Sequence, residues 1–134
     1  MNTENQRNNI KDITDNDEYA GRKLFFKGFV LTNDTRVDCT KYPFYGKWQR
    51  QDLQNNIYIL SHPDLNITIT ESTDEKTVGL IGHAYNPISG IYCEEEILKT
   101  LLSIETEGAF YDYVNELTGV FCLFVLHGHV CKLI

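Results

Sequence analysis

Val120-Phe121-Cys122-Leu123-Phe124-Val125-Leu126-His127-Gly128-His129-Val130-Cys131-Lys132-Leu133-Ile134 is the most apolar stretch of the chain. Gly128 between two histidines is the only punctuation in it. A two-residue turn at His127-Gly128 predicts a hairpin that pairs Leu126 with His129, Phe124 with Cys131 and Cys122 with Leu133. One face then carries Cys122, Phe124, Cys131 and Leu133, and the other Phe121, Leu123, Val125, Val130 and Ile134. A strand with one wet face alternates apolar and polar residues. This hairpin does not alternate, so both faces require cover and a layered sandwich is expected. The run also stops in mid-strand at Lys132-Leu133-Ile134. A following segment, a partner or a second copy of the chain is expected to cover that edge.

Upstream the apolar period changes from two to that of a helix. Ala109, Phe110, Tyr113, Val114 and Leu117 share one face of a predicted helix over 106–117, with Gly119 as a stop. Ile97, Leu98, Leu101 and Leu102 form the apolar stripe of a second helix over 94–102. Glu94, Glu95 and Glu96 open it, where carboxylates complement the helix dipole. Consecutive side chains on a helix do not converge, so this triplet reads as a solvated helix start rather than a metal cluster.

Strands precede the helices. Residues 77–84 form an apolar run, and Leu65, Ile67 and Ile69 alternate with polar neighbours. Residues 57–60 make a short strand closed by the turn Ser61-His62-Pro63-Asp64, and the three runs together predict an antiparallel meander. A further strand is expected at 24–31, where Gly28 marks a bulge or a close backbone approach. A long connection at 32–45 carrying Pro43 follows it. Residues 1–20 are polar, with too few aliphatic side chains to offset ordering entropy, and read as a leader. The chain is therefore expected to hold one α+β domain, residues 21–134, with mostly antiparallel sheets.

A formal net charge of −7 without a basic run argues against nucleic acid as a partner. No apolar stretch reaches the roughly 18 residues of a membrane span, and the N-terminus lacks the apolar core of a signal peptide. No membrane partner and a cytoplasmic location are expected. The sequons at Asn33 and Asn66 then count as chance matches. Cys39, Cys93, Cys122 and Cys131 form no CxxC pair, so no metal and no cofactor is expected. A thiol within an apolar strand reads as a buried hydrophobe, with Cys122 and Cys131 near each other in the hairpin.

Two segments resemble a known family. Val78-Gly79-Leu80-Ile81-Gly82-His83-Ala84-Tyr85-Asn86 is similar to the strand that ends in Asn-Gly-Glu-Ile-Tyr-Asn in the N-terminal glutaminase domain of asparagine synthetases. Asn115-Glu116-Leu117-Thr118-Gly119-Val120-Phe121-Cys122-Leu123 is similar to the family's Leu-x-Gly-x-Phe-Ala stretch. These are class II amidotransferases. The resemblance spans 57–134 and implies an αββα sandwich of the N-terminal-nucleophile-hydrolase type.

It also implies what to look for in catalysis. The family's nucleophile is a Cys whose own α-amine, with a pKa near ~7.7–8.0, serves as base. Here the sequence opens Met1-Asn2-Thr3, so trimming to Thr3 or cleavage ahead of Cys39 is needed to expose any nucleophile. The family's oxyanion donor, an Asn before Gly, is matched by Ile81, which has no side-chain donor; Gly82 keeps a backbone N–H. The substrate-holding Arg-Gly and Ser-Asp-x-Glu elements have no counterparts, nor has the ATP loop of the synthetase half.

No catalytic residue is therefore expected. Ile81, Gly82, His83, Tyr85 and Asn86 read as a vestigial pocket rim, and His127 and His129 as turn residues. The expected function is that of a non-catalytic glutaminase-like module, a pseudoenzyme that docks an ATP-dependent amide-forming synthetase. The alternatives are a genuine glutamine amidotransferase fragment activated by N-terminal processing and an unrelated β-rich binding module.

Overall fold

A computed structural model describes residues 27–37 and 48–134. The expected leader, the start of the 24–31 strand, Thr3, Cys39 and Pro43 lie outside the described residues. The chain divides into two compact units, Met1–Leu65 and Asn66–Ile134.

In the first unit β1 (Phe29–Thr32), β2 (Gln49–Asp52) and β3 (Tyr58–Ser61) form an antiparallel sheet in the order β1-β3-β2. All four residues of the central β3 are buried, whereas all four of β2 are exposed. The sequence Gln-Arg-Gln-Asp shows no strand signal. It is extended because its backbone pairs with β3, and the Arg50 guanidinium lies 4.0 Å over the Tyr58 ring. The close backbone approach expected at Gly28 is not seen: a Cβ there would stand 3.4 Å from the Trp48 ring, an ordinary contact with a side chain.

The second unit is α+β. β4 (Ile67–Glu71), β5 (Lys76–Tyr85), β6 (Thr118–His127) and β7 (Val130–Leu133) pair antiparallel in that order. α1 (Glu94–Ser103) and α2 (Glu107–Glu116) connect β5 to β6. Ile97, Leu98 and Leu101 of α1 and Phe110 of α2 form a buried core with Val78, Leu80 and Ala84 of β5 and Leu123 of β6. Truncating one of these leucines to Ala removes about 2–5 kcal/mol of stability. The acidic start of α1 matters because its N-cap, Cys93, makes no side-chain cap; α2 is capped by Thr106, whose Oγ1 accepts the Ala109 N–H at 3.3 Å.

Period two places Thr77, Ile81, Phe124 and Leu126 on the sheet face opposite the helices, and all four are buried. Gly79 makes room there: a Cβ on it would stand 2.0 Å from the Phe124 ring. Cover on both faces thus holds for the middle of β6, at Leu123, Phe124 and Leu126, and not for its first residues, where Val120 is 89% exposed. It does not hold for β7, whose four residues are exposed, Val130 at 57% and Leu133 at 61%.

Four expectations need correction. The hairpin turn is Gly128-His129, so His127 pairs with Val130, Leu126 with Cys131 and Phe124 with Leu133. Gly128 takes φ 58° at the first turn position, where a two-residue hairpin requires glycine's left-handed freedom. Second, β3 pairs with β1 and β2 and not with β4, so the three runs do not make one meander; the chain changes sheets at the turn where the Leu65 N–H donates to the His62 carbonyl. Third, α2 ends at Leu117 without Gly119, which lies in β6; Ala109 is exposed and drops out of the apolar face. Finally, Cys131 is exposed and Cys122 half-buried, so neither thiol is a fully buried hydrophobe.

Candidate functional site

The five expected rim residues follow one another at the end of β5, and their side chains do different things. Ile81 is buried opposite the helices, between its strand partners Ile67 and Cys122. Gly82 adopts φ 101°, and a Cβ on it would stand 2.3 Å from the Val120 carbonyl oxygen. Gly119 mirrors it across the strand pair, with φ 142° and 2.1 Å from the same virtual atom to the His83 carbonyl oxygen. Two glycines therefore let the β5 and β6 backbones approach closely in conformations that other residue types adopt only with strain.

The Gly82 backbone is fully engaged. Its N–H donates to the main-chain carbonyl of Asn66 at 2.8 Å, and its carbonyl accepts from the Asn66 side-chain amide at 2.9 Å. The donor expected to remain for an oxyanion is already committed within the fold. Its neighbour Ile81 offers none.

His83 is exposed and its Nδ1 lies 3.1 Å from Glu94 Oε1 at the start of α1. Burial alone raises the Glu94 carboxyl, but its own backbone N–H, the His83 ring and the Ala84 N–H together hold it below the usual glutamate value. Tyr85 stacks on Tyr92, with ring centroids 5.7 Å apart.

Asn86 is completely buried. Its Oδ1 accepts the N–H groups of Ile88 and Ser89, both at 3.0 Å, and its Nδ2 donates to Glu116 Oε2 at 2.9 Å. Its backbone exchanges two further hydrogen bonds with Ile91. This Asx turn ties the 87–91 connection to the last residue of α2 and presents Ile88 and Tyr92 to solvent, 74% and 71% exposed. Asn66, Tyr92, Glu94 and Glu116 were not legible as partners of the rim, because each reaches it through tertiary pairing and no spacing in the sequence marks them.

None of the five rim residues lines either of the two clefts of about 430 Å³ described on the two units. Among the described residues no group of three or more His, Cys, Asp or Glu is arranged to hold a metal ion. No described helix is long and apolar enough to cross a membrane. What the rim offers chemically is a rigid turn with aromatic and aliphatic side chains held outward. Comparison of the chain with protein-family models, with curated proteins and with solved structures finds no match.

Proposed function

We propose that the chain is a non-catalytic glutaminase-like domain of a cytoplasmic, asparagine-synthetase-related protein, serving as a structural or docking module for an ATP-dependent amide-forming synthetase. The observation that carries the non-catalytic part is the commitment of the Gly82 N–H to Asn66 beside the donorless Ile81. A loss of one oxyanion donor typically costs ~10²–10³ in rate, and here both candidates are withdrawn.

The αββα sandwich of N-terminal-nucleophile type is the finer fold that goes with this reading. A four-stranded antiparallel sheet with both helices on one face supports it as one half of such an architecture. Docking is supported by the outward-held Ile88 and Tyr92 and by the exposed apolar residues of β7 at the sheet edge, which also suit pairing with a second copy of the chain.

The test is glutamine hydrolysis by the purified protein, read as ammonia release, with intact mass measured on the same sample. No ammonia above the protein-free control is expected. Ammonia release from a species trimmed to Thr3 or Cys39 would replace this proposal with a genuine amidotransferase. A second reading, an unrelated binding module, is favoured by the stacked Tyr85 and Tyr92 alone. It predicts an equally inert protein that captures no synthetase in a pull-down.

A further inference from the structure

The end of the second unit's sheet remote from the rim carries a cleft of about 430 Å³ between the helix-facing side of β5, β6 and β7 and the first turns of α2. Register explains its lining. Lys76 pairs with His127, His127 with Val130, and Val125 with Lys132. Val125 packs against the helix-side core, so period two puts Lys76, His127, Val130 and Lys132 on that same face. Three nitrogen side chains from adjacent strands thus converge in a chain whose net charge is −7. The apolar part of the lining is Phe110 of α2 with Val125 and Ile134 on the sheet side, Ile134 exchanging backbone hydrogen bonds with Leu123.

The acidic residues of the lining are Glu105 and Glu107. Glu107 is matched by Lys132, with Nζ to Oε1 at 2.9 Å. Lys76 stands differently. Its ammonium lies 5.8 Å from the Phe110 ring centroid, beside an aromatic face and not a carboxylate. A cation over a nearly buried ring, with a histidine as its strand partner, suits an anion whose body is apolar. The volume lies at the low end of small-molecule sites, which favours a single ring over a peptide.

We infer that this cleft binds a small aromatic monocarboxylate, its ring against Phe110, Val125 and Ile134 and its carboxylate at Lys76 and His127. Recognition is by charge and shape and involves no covalent step. The inference does not rest on the proposed docking role, although Val130 of β7 belongs both to the cleft and to the exposed sheet edge.

Titration of the full chain with phenylacetate, followed by amide NMR, tests it. Saturable shifts are expected at Lys76, Phe110 and Val125. Lys76→Gln should weaken binding about tenfold, as for loss of one charge-assisted hydrogen bond, and Lys76→Arg should retain it. Phenethylamine, of the same shape and opposite charge, should bind at least about tenfold more weakly. Absence of saturation by about 10 mM, equal binding of the amine, or an unchanged affinity in Lys76→Gln would overturn the inference. Lys76→Arg guards against misreading a folding defect, because it keeps the charge with a similar stem.

Discussion

Asn66 holds Gly82 from two sides, accepting its N–H on a main-chain carbonyl and donating to its carbonyl from the side-chain amide, at 2.8 and 2.9 Å. This pair of hydrogen bonds joins a residue at the entry to β4 to one late in β5 and holds Gly82 in its left-handed conformation beside β6. It also takes up the Asn66 amide nitrogen that a glycan would need.

Gly82→Ala is expected to destabilise the protein by more than about 1–3 kcal/mol, the strain of a left-handed non-glycine alone, since the new Cβ collides with a backbone oxygen that cannot swing away. Gly119→Ala should behave alike. Gly108→Ala, at an open position within α2, should instead gain about 0.5–1 kcal/mol. Urea denaturation of the three variants checks this, and a Gly82→Ala protein as stable as wild type would refute the close approach of Gly82 to the Val120 carbonyl.

Asn86→Ala removes three side-chain hydrogen bonds from a fully buried site. A loss of about 1–3 kcal/mol is expected, with faster amide hydrogen exchange at Ile88 and Ser89. Unchanged exchange at those two amides would show that the turn holds without its asparagine.

The depressed Glu94 carboxyl makes a sign prediction. A group whose folded pKa lies below its unfolded value adds stability above the ordinary glutamate value of 4.5, and that stability is lost as pH falls through the folded pKa. Stability measured from pH 6 down to 2 should therefore decline less steeply below about 4.5 in Glu94→Gln than in wild type. Parallel curves would mean that the contact with His83 is without thermodynamic weight.

Cys93 and Cys131 are exposed and Cys122 is half-buried, so a thiol reagent with peptide mapping should modify the first two before the third. Burial pushes the half-buried Cys122 thiol above the usual value of 9.0, so its labelling should keep accelerating past that pH. Modification of Cys122 ahead of Cys131 would contradict the placement of β6 inside and β7 outside.

The elements themselves were largely legible. Both helices stand within a residue of their expected bounds because an apolar stripe at helical spacing follows an acidic or capping start. β5 and β6 were legible as long apolar runs, and β4 by its alternation. β2 was not, since four polar residues become a strand only when β3 offers its edge. The hairpin was legible and its register was not: Gly128 fits either turn position by composition, and left-handed φ at the first one decides.

The rim was legible as a place and not as a mechanism. Its five residues are contiguous in sequence, but the partners that define their roles, Asn66, Glu94 and Glu116, come from three other elements. The sequence by itself determined the α+β class of the second unit, because hydrophobic period is local and sets which face each element buries. Only the tertiary structure decided that the Gly82 N–H is committed and that β7 is exposed. Hydrogen-bond partners and burial depend on distant chain segments meeting, and no local pattern encodes that meeting.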